Sequence, residues 1–555
     1  MEFDLETFMY EVTEALRPSP PPSHSHTSKR SSSCEPETSL DMTTALVSLH
    51  PRLPPCIPSS PKEIQDHCSI TASLMTTERV DLVPNFYAYS VKATLLPIRR
   101  VQHELVMLYF QNVHPMFPVV DEYHIAKVHK TYRGQEELMD PSDFTIYHAI
   151  MVAGFASVLT RFEARYWSQL TVDPMVLTQI CLILSLWSPG WIGPQNNSYW
   201  LDMAFKHAAA GQLWEPPSET DRKGPYCRRR VLWWCCVVRD RVLALGMRRP
   251  QRLHKIPEGE EDAIITESDF GSEANYSSFT DLSSKKSAML TFIWFCKLTK
   301  IMANIAVAQR KHKFSRDWNG DAVGNTASEL EEVNKLDVEL NSWLEEFENA
   351  AAKATRGDKI IPVPISTLRI MAHSLRAILY QAYLHLPVDH PALVSTNIDP
   401  LKIVKDGAQG VASNVRDVMR SKKSDAIPTW LASWVTVPFA VYHVNHSMRD
   451  VSSPDNLLQP FFSQLVRRSS GAQMLLMTVR SATKVHIENT IKAEEQASDN
   501  VSSRRKSNTT TFNFVHSNLS QEAIPRSTEA NTLAFVTKAI DYALERNGSN
   551  SPEET

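Results

Sequence analysis

Glycine is scarce in this sequence. There are 16 glycines against 34 prolines in 555 residues, well under half the roughly 7% of average usage. Folds that cradle phosphates or dinucleotides need glycine at fixed turn positions. The shortage therefore speaks against a doubly wound nucleotide-binding enzyme and suits helices joined by proline-marked loops. No Cys-x-x-Cys pair occurs among the eight cysteines, at 34, 56, 68, 181, 227, 235, 236 and 296. Several lie in apolar runs, where a free thiol packs as a small hydrophobe, and the scatter points to a reducing compartment. There is no basic excess either: the net charge is −4, so the whole chain carries no electrostatic footprint for nucleic acid. The start, Met1-Glu2-Phe3-Asp4, lacks a basic leader and an apolar core, so it does not read as a secretory signal. The longest apolar run, Met175 to Trp187, is short and interrupted, too little to span a bilayer. The expectation is an intracellular, soluble protein with no membrane partner.

The marks of catalysis are missing as well. The chain has no Gly-x-x-x-x-Gly-Lys-Ser/Thr loop, no Gly-x-Ser-x-Gly elbow and no His-Glu-x-x-His pair; His103-Glu104 leads into Leu-Val-Met. An Asp-Asp-x-x-Asp cluster for magnesium and diphosphate is absent. No cysteine stands in the glycine-rich loop of a haem-thiolate site. The acidic run Glu258 to Asp262 follows a proline and reads as a solvated loop. His443 and His446 share a helix face but lack a third ligand, so a structural role is favoured over a metal site. The chain is expected to be no enzyme and to hold no cofactor.

What is present is helix. Val101, Leu105, Leu108, Tyr109 and Val113 mark one helical face. Asp173-Pro174 offers an N-cap with proline at the first helical position, and the following run to Trp187 is apolar on all sides, which marks a buried central helix. Trp200, Ala204, His207, Ala208 and Gly211 form a further face, as do Met289, Phe292, Ile293 and Cys296. Leu330, Val333, Leu336, Leu340, Trp343, Leu344 and Phe347 form another. Leu401, Val404, Ala408, Val411, Val415 and Val418 alternate three and four apart, a bundle stripe. Strict period-two runs are scarce and no fixed repeat is visible, which sets aside a solenoid built on a literal repeat. The expected fold is all-α, a large multi-helix bundle. Residues 1–80 form a Pro/Ser-rich segment, mostly disordered save a short helix over 2–16. A helical domain covers 81–490, a disordered Ser/Asn/Thr-rich linker 491–530 and an amphipathic helix 531–546.

Two charged clusters stand out. Arg228-Arg229-Arg230 could grip phosphate, but it opens a very apolar helix with Trp233 and Trp234 and reads better as a solvated helix end. Arg239, Asp240 and Arg241 interrupt the same helix. Neighbours i and i+1 do not face each other, so a buried Asp240 is expected to find its partner elsewhere. Cys235 and Cys236, about 100° apart on a helix, read as core.

The order of these segments resembles the regulatory domain of fungal zinc-cluster transcription factors, most closely the cutinase-regulator branch. Three stretches carry the resemblance. The first is Tyr109-Phe110 with Val113, His114, Pro115, Phe117 and Pro118. The second is the Leu182–Trp187 helix followed by Trp200, Met203 and Ala204. The third is Arg229, Arg230, Trp233 and Trp234, then Asp240-Arg241, then Gly246 with Arg249-Pro250. That last stretch departs from the family's Gly-Arg-Pro by the extra length of Gly246-Met247-Arg248-Arg249-Pro250. The resemblance covers about residues 95–275, with helical character alone beyond. It implies a nuclear regulator of a metabolic gene set, secondary metabolism included. It also implies a helical domain that tunes activation, in some members through a small-molecule effector. In such a family a six-cysteine cluster holding two zinc ions reads DNA, yet only Cys34, Cys56 and Cys68 precede residue 95. Zinc is therefore expected only if that cluster is missing from the sequence, and DNA is reached directly or through a partner transcription factor. Two rivals stay open: a non-DNA-binding co-regulator or scaffold, and an all-helical enzyme with an apolar pocket. Arg504-Arg505-Lys506 is read as a solvated basic spot or an import element. The terminal helix, with Leu533, Val536, Ile540 and Leu544, is read as docking a coactivator or packing back on the bundle.

Overall fold

Helix starts follow the capping chemistry written in the sequence. The Asp173 carboxylate accepts the Met175 amide at 2.8 Å ahead of Pro174, and Asp399 does the same for Lys402 at 3.2 Å ahead of Pro400. Each aspartate satisfies an amide that the first turn leaves without a helical acceptor, while proline has no amide to satisfy.

A computed structural model describes residues 99–132, 138–157, 173–186, 196–215, 228–253, 264–319, 323–356, 361–421, 426–449, 458–505 and 526–546. Among the described residues 83% are helical and none is in a strand. The helices are α1 (Arg99–Asn112), α2 (Glu122–Thr131), α3 (Pro141–Ala156), α4 (Pro174–Ser185), α5 (Asn197–Ala210), α6 (Arg229–Gly246), α7 (Leu282–Asn319) and α8 (Val323–Ala354). They continue with α9 (Val363–Tyr380), α10 (Pro391–Thr396), α11 (Pro400–Arg420), α12 (Ala432–Arg449), α13 (Leu458–Arg468), α14 (Ser470–Arg505) and α15 (Arg526–Arg546). A 3-10 segment, Glu267–Asn275, leads into α7. The all-α bundle is as expected. The expected helix over 2–16, the Pro/Ser-rich segment and the Pro189-Gly190 exit lie outside the described residues, as do residues 506–525 of the linker.

Packing follows the apolar stripes. Helix α4 buries every residue from Val176 to Ser185, as an all-round apolar helix must, and pairs with α5. Helix α11 buries all six residues of its stripe against α9. The α9–α11 approach is close enough that a Cβ at Gly407 would stand 2.9 Å from the His373 carbonyl oxygen. In α1 the buried face is rotated from the expected one. Gln102, Val106, Tyr109 and Phe110 are buried, whereas Val101, Leu105, Leu108 and Val113 are only partly so. Gln102 tolerates burial because its carbonyl oxygen accepts from Tyr147 Oη at 3.3 Å and from Arg99 at 3.2 Å, which removes the cost of an unpaired amide.

One feature of the chain's later part differs from the sequence reading, and one decides between its alternatives. Helix α14 continues to Arg505, past residue 490. The Lys492–Ala497 stretch is polar but made of good helix formers. Helix α15 packs on α12 and α14 with Leu533, Val536, Ile540 and Leu544 fully buried, so this apolar face is spent within the bundle and is not free to dock a coactivator. The stretch Leu282–Lys313 of α7 is long and apolar enough to cross a membrane, with mean hydropathy 1.4. In this structure 61% of its most apolar window is buried in the protein, the condition of a core helix.

Candidate regulatory core

The first recognised stretch ends in a turn where α1 stops, and there His114 enters a buried charge network. Its Nε2 lies 3.0 Å from Glu273 Oε1. Burial, together with Arg228 and Lys285, holds this imidazole well below the ordinary histidine range. The ring is thus neutral and donates its Nε2 proton to the carboxylate. Glu273 also pairs with Arg228, and with Lys285 at 3.3 Å. Lys285 Nζ donates to Glu122 Oε2 at 2.6 Å and to the Tyr276 carbonyl at 2.7 Å. Glu122 Oε1 accepts the amides of Ser278 and Phe279 at 2.7 and 2.9 Å. Burial alone would raise the Glu122 carboxyl, but Lys285 and these amides hold it below the usual carboxylate range. Arg228 donates to the Pro118 carbonyl. Two carboxylates and two cations, each no more than 5% exposed, thus fasten together the turn after α1, α2, the start of α6, the 3-10 segment and α7. Pro115 and Phe117 belong to the same turn; Phe117 is buried edge-on to Phe295 and Trp430.

The arginine triple is used internally. Arg229 Nη2 donates to the carbonyls of Gly211 and Gln212, both at 2.8 Å, where α5 ends. A cation there meets unsatisfied carbonyls and the negative end of the helix dipole. Arg230 pairs with Asp269 at 3.0 Å. Trp200, Trp233 and Trp234 are buried, and Trp233 meets Phe205 and Trp214 edge-on.

Asp240 and Arg241 form a fork that grips the returning chain. Asp240, fully buried, accepts the amide of Arg252 at 3.0 Å and that of Leu253 at 3.2 Å. Arg241 Nη2 donates to the Leu253 carbonyl at 2.7 Å. Asp240 thus takes partners from elsewhere in the chain, as expected, but not only from there. Arg241 itself donates to Asp240 at 2.6 Å, because a long guanidinium arm can turn back where the Cβ directions diverge. Between them the chain turns at Arg248, which has φ 54°, while the Arg249 amide bonds the Ala244 carbonyl at 2.8 Å, a Schellman closure with arginine in the place glycine usually takes. Arg248 Nε donates to Asp541 of α15 at 2.7 Å. Gly246 is required by α12: a Cβ there would lie 2.8 Å from Trp434 Nε1 and 3.0 Å from Ser433 Oγ. Arg249 donates to Ser198, and Pro250 is exposed.

All fourteen singled-out positions lie among the described residues; Arg229, Asp240 and Arg241 end on backbone or on each other, and His114, Arg230 and Arg249 on side chains elsewhere. Sequence reasoning missed Glu122, Glu273 and Lys285, whose His114–Glu273 and Glu122–Lys285 contacts join residues more than 150 apart. Among the described residues no group of three or more His, Cys, Asp or Glu could hold a metal. His443 stacks on Phe439, and burial with Arg480 and His446 beside it lowers it to about 4. Cys181, Cys235, Cys236 and Cys296 are buried thiols. The acidic run Glu258–Asp262 and the side chains of Arg504-Arg505-Lys506 lie outside what is described. A cleft of about 50 Å³ opens between α1, α3, α4 and the segment before α12, lined by Val113, Phe117, Ile183, Leu186 and Trp430. That is room for no more than a few waters, far below the roughly 300–1,000 Å³ of a metabolite pocket.

Comparison with known proteins gives three informative relatives. The chain is 28% identical over 200 residues to "Cutinase transcription factor 1 beta" of Fusarium vanettenii, across 32% of this chain and 22% of that protein. It is 26% identical over 253 residues to "Transcription factor cpaR" of Aspergillus oryzae, across 39% of this chain and 40% of the relative. It is 27% identical over 198 residues to "Acetamidase regulatory protein" of Aspergillus fumigatus, across 32% and 25%. The chain thus spans well under two thirds of each relative's length. No protein-family profile matches it, and no solved structure does.

Proposed function

We propose that this chain, a homologue of fungal transcription factors, is the helical regulatory part of a transcription regulator that acts in the nucleus on a metabolic gene set. The single observation that carries the reading is the match to relatives named as transcription factors, at 24–28% identity; the packing of the three stretches into one core supports it. Relatives named for cutinase and acetamidase support a metabolic gene set, which includes secondary metabolism as the finer proposal. The zinc-cluster family is likewise proposed from the resemblance of the three stretches.

In this reading the chain is a regulator and not a catalyst. Its buried charges act as ties: a balanced buried network contributes less to stability than to selecting one arrangement, since misplacing any member strands a charge. The helical domain is taken as one unit over 81–490 closed by α15. It reaches DNA directly or through a partner transcription factor, and coactivator contacts fall on surfaces other than the apolar face of α15. An effector would act by binding two packings of the bundle unequally. The test is chromatin occupancy of the tagged chain, with and without candidate zinc-cluster partners. Enrichment at promoters of metabolic genes is expected. Enrichment that vanishes on deleting one partner assigns DNA contact to that partner, and no enrichment rejects the reading.

A further inference from the structure

Four guanidiniums gather where α6 and the segment after it meet the facing ends of α4 and α5. They are Arg239, Arg241, Arg249 and Arg252, and two carboxylates answer them. Asp240 pairs with Arg241 at 2.6 Å and with Arg252 at 3.6 Å, and Asp202 pairs with Arg252. Among the described residues neither Arg239 nor Arg249 has a carboxylate within ion-pair distance. Arg239 is 1% exposed and bonds only the hydroxyl and carbonyl of Ser185 at the end of α4; its Nη1 has no partner among the described residues. Arg249 donates to the Ser198 hydroxyl, while its buried Nε has none. Arg252 Nη2 donates to the Ser198 carbonyl at 3.1 Å. Arg249 and Arg252 therefore meet at one residue.

The balance at this pole is short of negative charge. Burial, then the repelling charge of Arg252, lowers Arg239 to about 9 and Arg249 to about 10. The end of α4 offsets only about half an elementary charge. A desolvated cation without a counter-ion is costly, and a planar guanidinium pair is matched in geometry to phosphate or carboxylate oxygens. We propose that this arginine pole is a binding site for an oxyanion, the phosphate or carboxylate group of a small molecule, held by Arg249 and Arg252 beside Ser198. The charge of the arginines does the holding, because Asn196 already accepts the amides of Ser198 and Tyr199 at 2.9 and 3.1 Å. Asp202, 61% exposed, stays on the Arg252 Nε and sets the side from which the anion approaches. The site stands whether or not the chain occupies chromatin.

The probe is inorganic phosphate, exchanged for chloride at constant ionic strength, with thermal unfolding of the full chain as readout. At about ten times its dissociation constant, phosphate is expected to raise the midpoint by roughly 2 °C in a saturable way. Arg249→Gln abolishes the rise, and Arg310→Gln, an exposed site on α7, keeps it. Ser198→Asp supplies a fixed carboxylate, so it raises the midpoint without phosphate and blunts the response to it. An adventitious salt effect predicts equal responses in wild type and Arg249→Gln, which overturns the proposal, as does no response in wild type. A response that appears only after Glu258, Glu260, Glu261 and Asp262 are changed to amides overturns it too, since the chain's own acids are then the occupant.

Discussion

Replacing Glu273 by Gln isolates the buried charge network. The substitution keeps the shape and removes one negative charge from a cluster of two carboxylates and two cations. Lys285 then keeps Glu122, Arg228 loses its Glu273 pair, and His114 faces a neutral amide where the carboxylate stood 3.0 Å from its Nε2. Glu273 is 1% exposed and its two cations 4% and 5%, so solvent screens little of the imbalance. Breaking a buried pair by removing one member costs about 3–5 kcal/mol. The comparison is Arg230→Gln, which removes a pair whose arginine is 27% exposed and costs about 1 kcal/mol or less. Urea unfolding followed by circular dichroism measures both. Glu273→Gln combined with Arg228→Met leaves the Lys285–Glu122 pair intact and recovers a large part of the loss, because it removes the cation that pairs with Glu273. If Glu273→Gln costs no more than Arg230→Gln, or if the double variant is worse than the single one, the network is not the tie described here.

Three further outcomes follow from the same packing. Gly246→Ala forces a methyl against Trp434 at 2.8 Å and loses about 1–3 kcal/mol, whereas Gly471→Ala, with no neighbour nearer than 3.6 Å, changes stability by less than about 1 kcal/mol; thermal unfolding separates the two. Ile540→Ala on the fully buried face of α15 costs about 2–5 kcal/mol, while an exposed α15 site would show almost nothing if tested alongside. Acidification destabilises the fold below pH about 6.5: burial depresses His114, His148 and His443, so the unfolded chain binds protons there that the folded chain refuses. That stability is fully present above the unfolded pKa and lost as pH falls. His443→Gln should flatten the pH 4–6.5 limb of the stability curve.

Much of this fold is visible in the sequence because helices carry their own evidence. The α11 stripe, the Asp173-Pro174 cap and the apolar α4 are local patterns, and each stands where its spacing places it. The α1 face was misplaced because this helix is apolar over more than one stripe and because a bonded Gln102 can be buried, which spacing alone does not reveal. Glu122, Glu273 and Lys285 left little local signal: each stands in a short polar segment, Glu122 and Lys285 beside a second charge, and tertiary contact across more than 150 residues between Glu122 and Lys285 helps make them a set. A single lysine set among the core-facing positions of the apolar α7 was the one available hint. The Asp240–Arg241 contact went unread for a different reason, since the direction of a Cβ does not limit where a guanidinium can reach. The extra length between Gly246 and Arg249 has a clear consequence, because Arg248 takes the left-handed turn and ties α6 to Asp541.

The central claim, a regulator of transcription, is tested most directly by chromatin occupancy of the tagged full chain in its native cell. The account predicts discrete enrichment at promoters, reduced when Glu273→Gln loosens the regulatory core. Signal no higher than in an untagged strain would contradict it.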